Sequence, residues 1–235
     1  MKVAVLQSNY LPWKGYFDLM RSVDLFVFYD DVQFTKNDWR HRNRIKTPRG
    51  PEWLSLPVGA KIHRLICEVT FTERTWAARH FDILRQNYRH AAFWPRYEPL
   101  LKEALLGREW THLSALNQHL ILLLAKELGI TTAFRDSREF TLAGHKGARL
   151  MDLLTQLGTT EYVSGPAAAA YLDPAAFAAA GIQLTYFNYR GYPEYPQLHP
   201  PFVHEVSVVD LLLNQGPDAP RSIWGWRERV AALTP

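Results

Sequence analysis

Four basic residues alternate in the run Trp39-Arg40-His41-Arg42-Asn43-Arg44-Ile45-Lys46-Thr47. In an extended chain Arg40, Arg42, Arg44 and Lys46 would share one face, because strand side chains repeat with period two. A helix would scatter them around its axis. Guanidiniums in a row suit a phosphate or a carboxylate, since Arg offers a planar bidentate fork. A solvated edge strand is the competing reading, with charge opposing edge-to-edge association. Just upstream stands the pair Asp30-Asp31, followed by Gln33. Adjacent carboxylates can hold Mg²⁺ or remove a proton. They can also balance the basic run or cap a helix.

A third group is Gln7-Ser8-Asn9-Tyr10-Leu11-Pro12-Trp13-Lys14-Gly15-Tyr16. Gln7 and Asn9 can hydrogen-bond a ligand, Tyr10, Trp13, Tyr16 and Trp39 can pack on one, and Gly15 permits close approach. Ser164-Gly165-Pro166 with Tyr171 reads as a loop shaping a pocket; Ser164 lacks the setting of a nucleophile. Tyr192-Pro193 and Tyr195-Pro196-Gln197 form a stiff segment able to line a site, with Tyr195 and Gln197 as binding candidates, and Asn43 completes the set. The nine histidines show no metal-ligand spacing, so no metal site is expected, and no cofactor is specified.

These groups need a frame. Val3–Leu6 and Leu25–Tyr29 are apolar runs typical of strands buried on both faces, with a helix over 13–22 between them. That is a βαβ opening, and its first loop lies where open α/β sheets bind ligands. Strands are also expected at 53–58, 65–71, 131–135, 161–163 and 182–187. Helices are expected at 75–89, 97–106, 113–128, 147–157, 174–180 and 207–214. The fold class is α/β: a mainly parallel, Rossmann-like sheet covered by helices. Residues 1–235 form one domain in this reading, with a helical insertion or cap at about 75–128.

Composition bounds the rest. The net charge is +4 among 235 residues, with 8 Trp, 11 Tyr and 12 Phe. Positive charge is concentrated in the first hundred residues, which is enough for a phosphorylated small molecule and too little to argue for nucleic acid. The single Cys67 excludes an internal disulfide and reads as an inert thiol. No apolar run reaches the ~20 residues of a membrane helix, so a soluble cytoplasmic protein is expected, with no membrane partner. Oligomeric state is not encoded in any legible way.

In this order, the motifs resemble those of the WbqC-like protein family of bacteria. The matching stretches include Val5–Phe17, Val23–Gln33, Trp39–Thr47, Tyr162–Pro166, Tyr171–Asp173, Tyr195–Gln197 and Ser207–Gly216. Ser8 stands where the family usually has Pro, and His41 where it has Asn. Members occur near genes for O-antigen and other surface polysaccharides, and glycine transfer has been suggested for the family. The resemblance implies a transferase moving a small acyl or aminoacyl group to an amine of a nucleotide-linked sugar, or of a similar phosphorylated or carrier-bound substrate. In that scheme Asp30 or Asp31 is the base and the basic run holds phosphates. Two alternatives stand beside it: a nucleotidyl transferase with a degenerate first loop, and a binding protein without catalysis.

Overall fold

The computed structural model describes residues 1–227; residues 228–235, included in the single-domain expectation, lie outside them. Five parallel strands form the central sheet in the order β5-β2-β1-β6-β7. They are β1 (Lys2–Leu6), β2 (Leu25–Phe28), β5 (Ala133–Asp136), β6 (Glu161–Ser164) and β7 (Gln183–Tyr186). The order reverses between β1 and β6. Such a switch point leaves a crevice outside the strand C-termini. The fold class is therefore α/β and Rossmann-like.

Strand alternation divides the core. Ala4, Phe26 and Phe28 face a layer that includes α1 (Lys14–Arg21), α2 (Trp76–Tyr88), α3 (Trp94–Leu106), α4 (Leu113–Glu127) and α7 (Val208–Gln215). Val3, Val5, Leu25 and Val27 face α5 (Gly147–Gln156) and α6 (Pro174–Ala179). Both faces are covered, which is why β1 and β2 read as unbroken apolar runs. Helices α2 to α4 precede β5 in the chain and share the first apolar cluster with α1 and α7.

A separate two-stranded antiparallel ribbon, β3 (Arg42–Thr47) and β4 (Gly50–Ser55), carries most of the basic run. Arg42 faces Ser55 and Arg44 faces Trp53 in its register. The strand expected at 65–71 does not form. Instead Ile66–Glu68 is a 3₁₀ turn, whose flanks make only isolated bridges, Gln33 with Leu65 and Thr70 with His112. The amides of Ile66 and Cys67 donate to Val32 O and Asp30 O, so this segment follows the loop after β2 instead of entering a sheet. Ser207 caps α7 as its type suggests, accepting from Val209 N at 3.2 Å. Thr75 precedes α2 without a side-chain cap bond.

Candidate functional site

The loop after β1 is held from three sides. Ser8 N donates to Asp30 Oδ1 at 2.8 Å. Tyr10 N donates to Trp39 O at 3.0 Å. Asn43, buried in β3, donates from Nδ2 to Leu11 O at 2.8 Å and Tyr10 O at 3.2 Å. Tyr10 is itself enclosed, its hydroxyl 2.9 Å from His80 Nδ1. Tyr16 is buried under the loop and donates to Gln7 O at 3.1 Å. Tyr10 and Tyr16 thus hold the loop from within the protein, and Asn43 anchors it from β3 while also lining a pocket described below. Of these three binding candidates, Asn43 alone borders a concavity. Gln7, Asn9 and Trp13 stay at the surface of two concavities.

The first concavity, about 500 Å³, sits at the switch point. Gln7 forms part of its floor, Tyr29 and the start of α5 (Lys146, Gly147) one side, and Ser164, Gly165 and Tyr171 the other. Ser164 is buried at the strand end, whereas Tyr171 is strongly exposed. This is the crevice that the topology predicts for a ligand.

The second, about 270 Å³, is lined by Asn9, Pro12, Trp13, Trp39, Asn43 and Glu205. It opens beside the basic ribbon. Arg42 and Arg44 share one face, as alternation requires, and Trp53 joins them from β4. Arg42 lies over the Trp53 ring at 4.2 Å, and Arg44 lies 5.7 Å from Trp53 and 6.0 Å from Trp39. The Trp39 and Trp53 rings are exposed, tilted by 39°, with centroids 5.4 Å apart. The comb is shorter than its sequence implies. Arg40 precedes the strand in a turn and reaches Asp38 and Gln7. Lys46 is 1% exposed, and its Nζ donates to Pro201 O at 2.5 Å, so it is turned into the protein and does not continue the exposed face.

The two carboxylates of the pair have separate surroundings. Asp30 is fully buried and accepts from Ser8 N, Ser114 Oγ and Gln118 Nε2. Its carboxylate is turned into the protein, where it joins the loop after β1 to α4. Asp31 accepts from Ser137 Oγ and pairs with Arg149. Burial opposes its ionisation, but these hydrogen bonds and the guanidinium charge prevail and hold the carboxyl below the usual range. A depressed pKa makes Asp31 a weak base. Gln33 lies apart, in a shallow depression with His63, Arg64, Leu65 and Glu68. Among the described residues, no group of three or more His, Cys, Asp or Glu could hold a metal ion.

Comparison with known sequences fits the ordered motifs. A sequence model of the WbqC-like protein family matches residues 7–222. The chain belongs to the WbqC-like protein family. It is similar to "Uncharacterized protein Rv1507c" of Mycobacterium tuberculosis (strain ATCC 25618 / H37Rv), with 44% identity over 221 residues, 93% of this chain and 96% of that protein. No solved structure matches. No helix among the described residues is long and apolar enough to cross a membrane.

This WbqC-like chain also contains a polar centre that local sequence patterns do not reveal. Asp210, fully buried on α7, accepts from Tyr88, Tyr195 and Gln197 at 2.9, 2.7 and 2.9 Å. Burial raises its pKa despite these donors. Tyr195 and Gln197, expected to bind substrate, are therefore engaged inside the protein. Lys14 lies nearby, 2% exposed, 3.2 Å from His204 Nδ1 and 5.2–5.5 Å from the ring centroids of Tyr192, Tyr195 and Phe202. Burial lowers its pKa to about 8, against the attraction of Asp210 and Glu205. The only sequence signal was a Lys in the first turn of an apolar helix, and its partners lie about 180 residues away. Cys67 is half-buried, and burial raises its thiol pKa, as suits an unreactive residue.

Proposed function

We propose that this protein is a small-group transferase that moves an acyl or aminoacyl group, glycyl among them, from an activated carrier to an amine on a phosphorylated substrate. The supporting observation is that one loop serves both concavities: Gln7 lines the cleft at the switch point, and Asn9, Pro12 and Trp13 line the pocket beside the ribbon. A two-substrate reaction needs two adjoining sites whose contents meet at a shared element, because alignment supplies much of the rate. In this reading the cleft takes the carrier, and the ribbon pocket takes the acceptor with its phosphate toward Arg42 and Arg44. Gln7 and Asn9 hydrogen-bond the acyl carbonyl. The amine nitrogen attacks that carbonyl and a C–N bond forms. The bond to the carrier breaks with its electron pair, and the ammonium proton passes to a base. Asp30 serves as a positioning residue, through Ser8, and Asp31 through Arg149 beside Tyr29.

A turnover screen tests the reading. The protein is incubated with aminoacyl or acyl thioesters and nucleotide-linked amino sugars, and amide product is detected by mass. Amide formation that falls at least tenfold in Arg42→Ala supports the assignment. Pyrophosphate release from ATP or CTP with Mg²⁺, without amide, replaces it by nucleotidyl transfer. Ligand-induced thermal stabilisation with no product from any donor replaces it by binding alone.

A further inference from the structure

The ribbon pocket sets one carboxylate, Glu205, among flat apolar walls, with the Arg44 guanidinium at its rim. Glu205 lies 3.8 Å from Arg44, at the outer limit of an ion pair, and its side chain is 66% exposed. Such a pair contributes little to stability, so a ligand can separate it cheaply. Two indoles, Trp13 and Trp39, line the same pocket, and Trp53 continues the aromatic surface under Arg42 and Arg44. A free anion would need the guanidiniums alone and would be repelled by Glu205. A free amine would need Glu205 alone and would be repelled by Arg44. The volume, about 270 Å³, suits one six-membered ring with its substituents.

From these features we infer that the ribbon pocket is selective for a saturated ring carrying both an amine and a phosphate, an amino-sugar phosphate. The amine displaces Arg44 from Glu205, the phosphate occupies Arg44 and Arg42, and the ring's C–H face lies on Trp39. Glu205 is then the specificity-determining residue, a role absent from its sequence context. This assignment rests on the proposed acceptor site and names its substrate class. It also supplies what Asp30 and Asp31 do not: a carboxylate that reaches the amine.

Equilibrium binding to the full chain tests the inference, read by tryptophan fluorescence and calorimetry with six probes: glucosamine 1-phosphate, glucose 1-phosphate, glucosamine, inorganic phosphate, adenosine monophosphate and uridine monophosphate. Glucosamine 1-phosphate should bind at least tenfold more tightly than any other. In Glu205→Gln its advantage over glucose 1-phosphate should shrink to within about twofold, with glucose 1-phosphate affinity unchanged or improved. In Trp39→Ala both ring phosphates should weaken at least tenfold. Equal affinity for all phosphates, or full discrimination retained in Glu205→Gln, would overturn the inference, as would tighter binding of adenosine or uridine monophosphate than of glucosamine 1-phosphate. The two proposals fail separately. Discrimination by binding with no amide from any donor removes the transferase reading alone, whereas amide formation with an unchanged KM in Glu205→Gln removes this one.

Discussion

Arg40 Nη2 donates to Gln7 Oε1 across 3.0 Å. This bond ties the basic run to the floor of the switch-point cleft, and the other Nη of Arg40 is held by Asp38. Arg40 is thus placed to fix the Gln7 amide, not to act as one tooth of a comb. Arg40→Ala should leave Gln7 free to rotate. Turnover is expected to fall about tenfold, equivalent to ~1.4 kcal/mol in the barrier. Stability should change by less than about 1 kcal/mol, because the ion pair is partly solvated. Steady-state kinetics and denaturant unfolding on the same sample check both values.

Asp30 separates a structural carboxylate from a catalytic one. Its replacement by Ala would strand the Ser8 amide and the Ser114 hydroxyl in a buried site, while Gln118 keeps Asp136 as an acceptor. The expected cost is about 3 kcal/mol or more. Asp30→Asn keeps one acceptor but sets an amide donor against donors, so it should still cost about 1–2 kcal/mol. Urea unfolding measures both. An Asn variant of native stability that had lost turnover would instead identify Asp30 as the base.

Lys14 shows how burial sets a pH dependence. Its folded pKa, about 8, lies below the ordinary 10.5, so folding favours the neutral amine. The stability associated with this group is present above pH 10.5 and is lost as pH falls through about 8. Lys14→Met keeps much of the packing with Tyr192, Tyr195 and Phe202 while removing the charge. At pH 7 the variant should be more stable by about 3 kcal/mol, since the pKa falls from 10.5 to about 8 and one pKa unit corresponds to about 1.4 kcal/mol. The advantage should shrink toward pH 10. A stability difference that stays constant between pH 7 and pH 10 would mean that Lys14 is not desolvated in solution.

The frame was legible where one segment decides its own structure. The apolar runs of β1 and β2, and glycines just past helix ends such as Gly129, Gly158 and Gly181 (all with positive φ), follow local rules. So did the shared face of Arg42 and Arg44. What could not be read depends on which segments meet. Lys46 obeys the same alternation as Arg44, yet the segment at Pro201 covers it. Apolar character at 65–71 marked burial, but no neighbouring strand was there to pair with it. Glu205 gained meaning only when the chain brought it within reach of Arg44.

Gly15 tests whether the pocket wall at Trp13 matters for ligand capture. The Trp13 indole lies over this glycine, and an added Cβ would sit 2.3 Å from its Cζ2. Gly15 has an ordinary helical conformation, so Ala brings no backbone strain and has the higher helix propensity. Its effect must come through the indole, which has to leave its contacts with Tyr189 and Tyr192. Gly15→Ala should therefore weaken ring-phosphate binding by about tenfold and shift the tryptophan emission. Stability should fall by about 1–3 kcal/mol from overpacking. Because Trp13 lines the pocket and not the cleft, affinity for a carrier bound in the cleft should change less than twofold. Equal losses at both sites would show that the loop moves as one unit, and unchanged binding at both would show that Trp13 is not part of the acceptor wall.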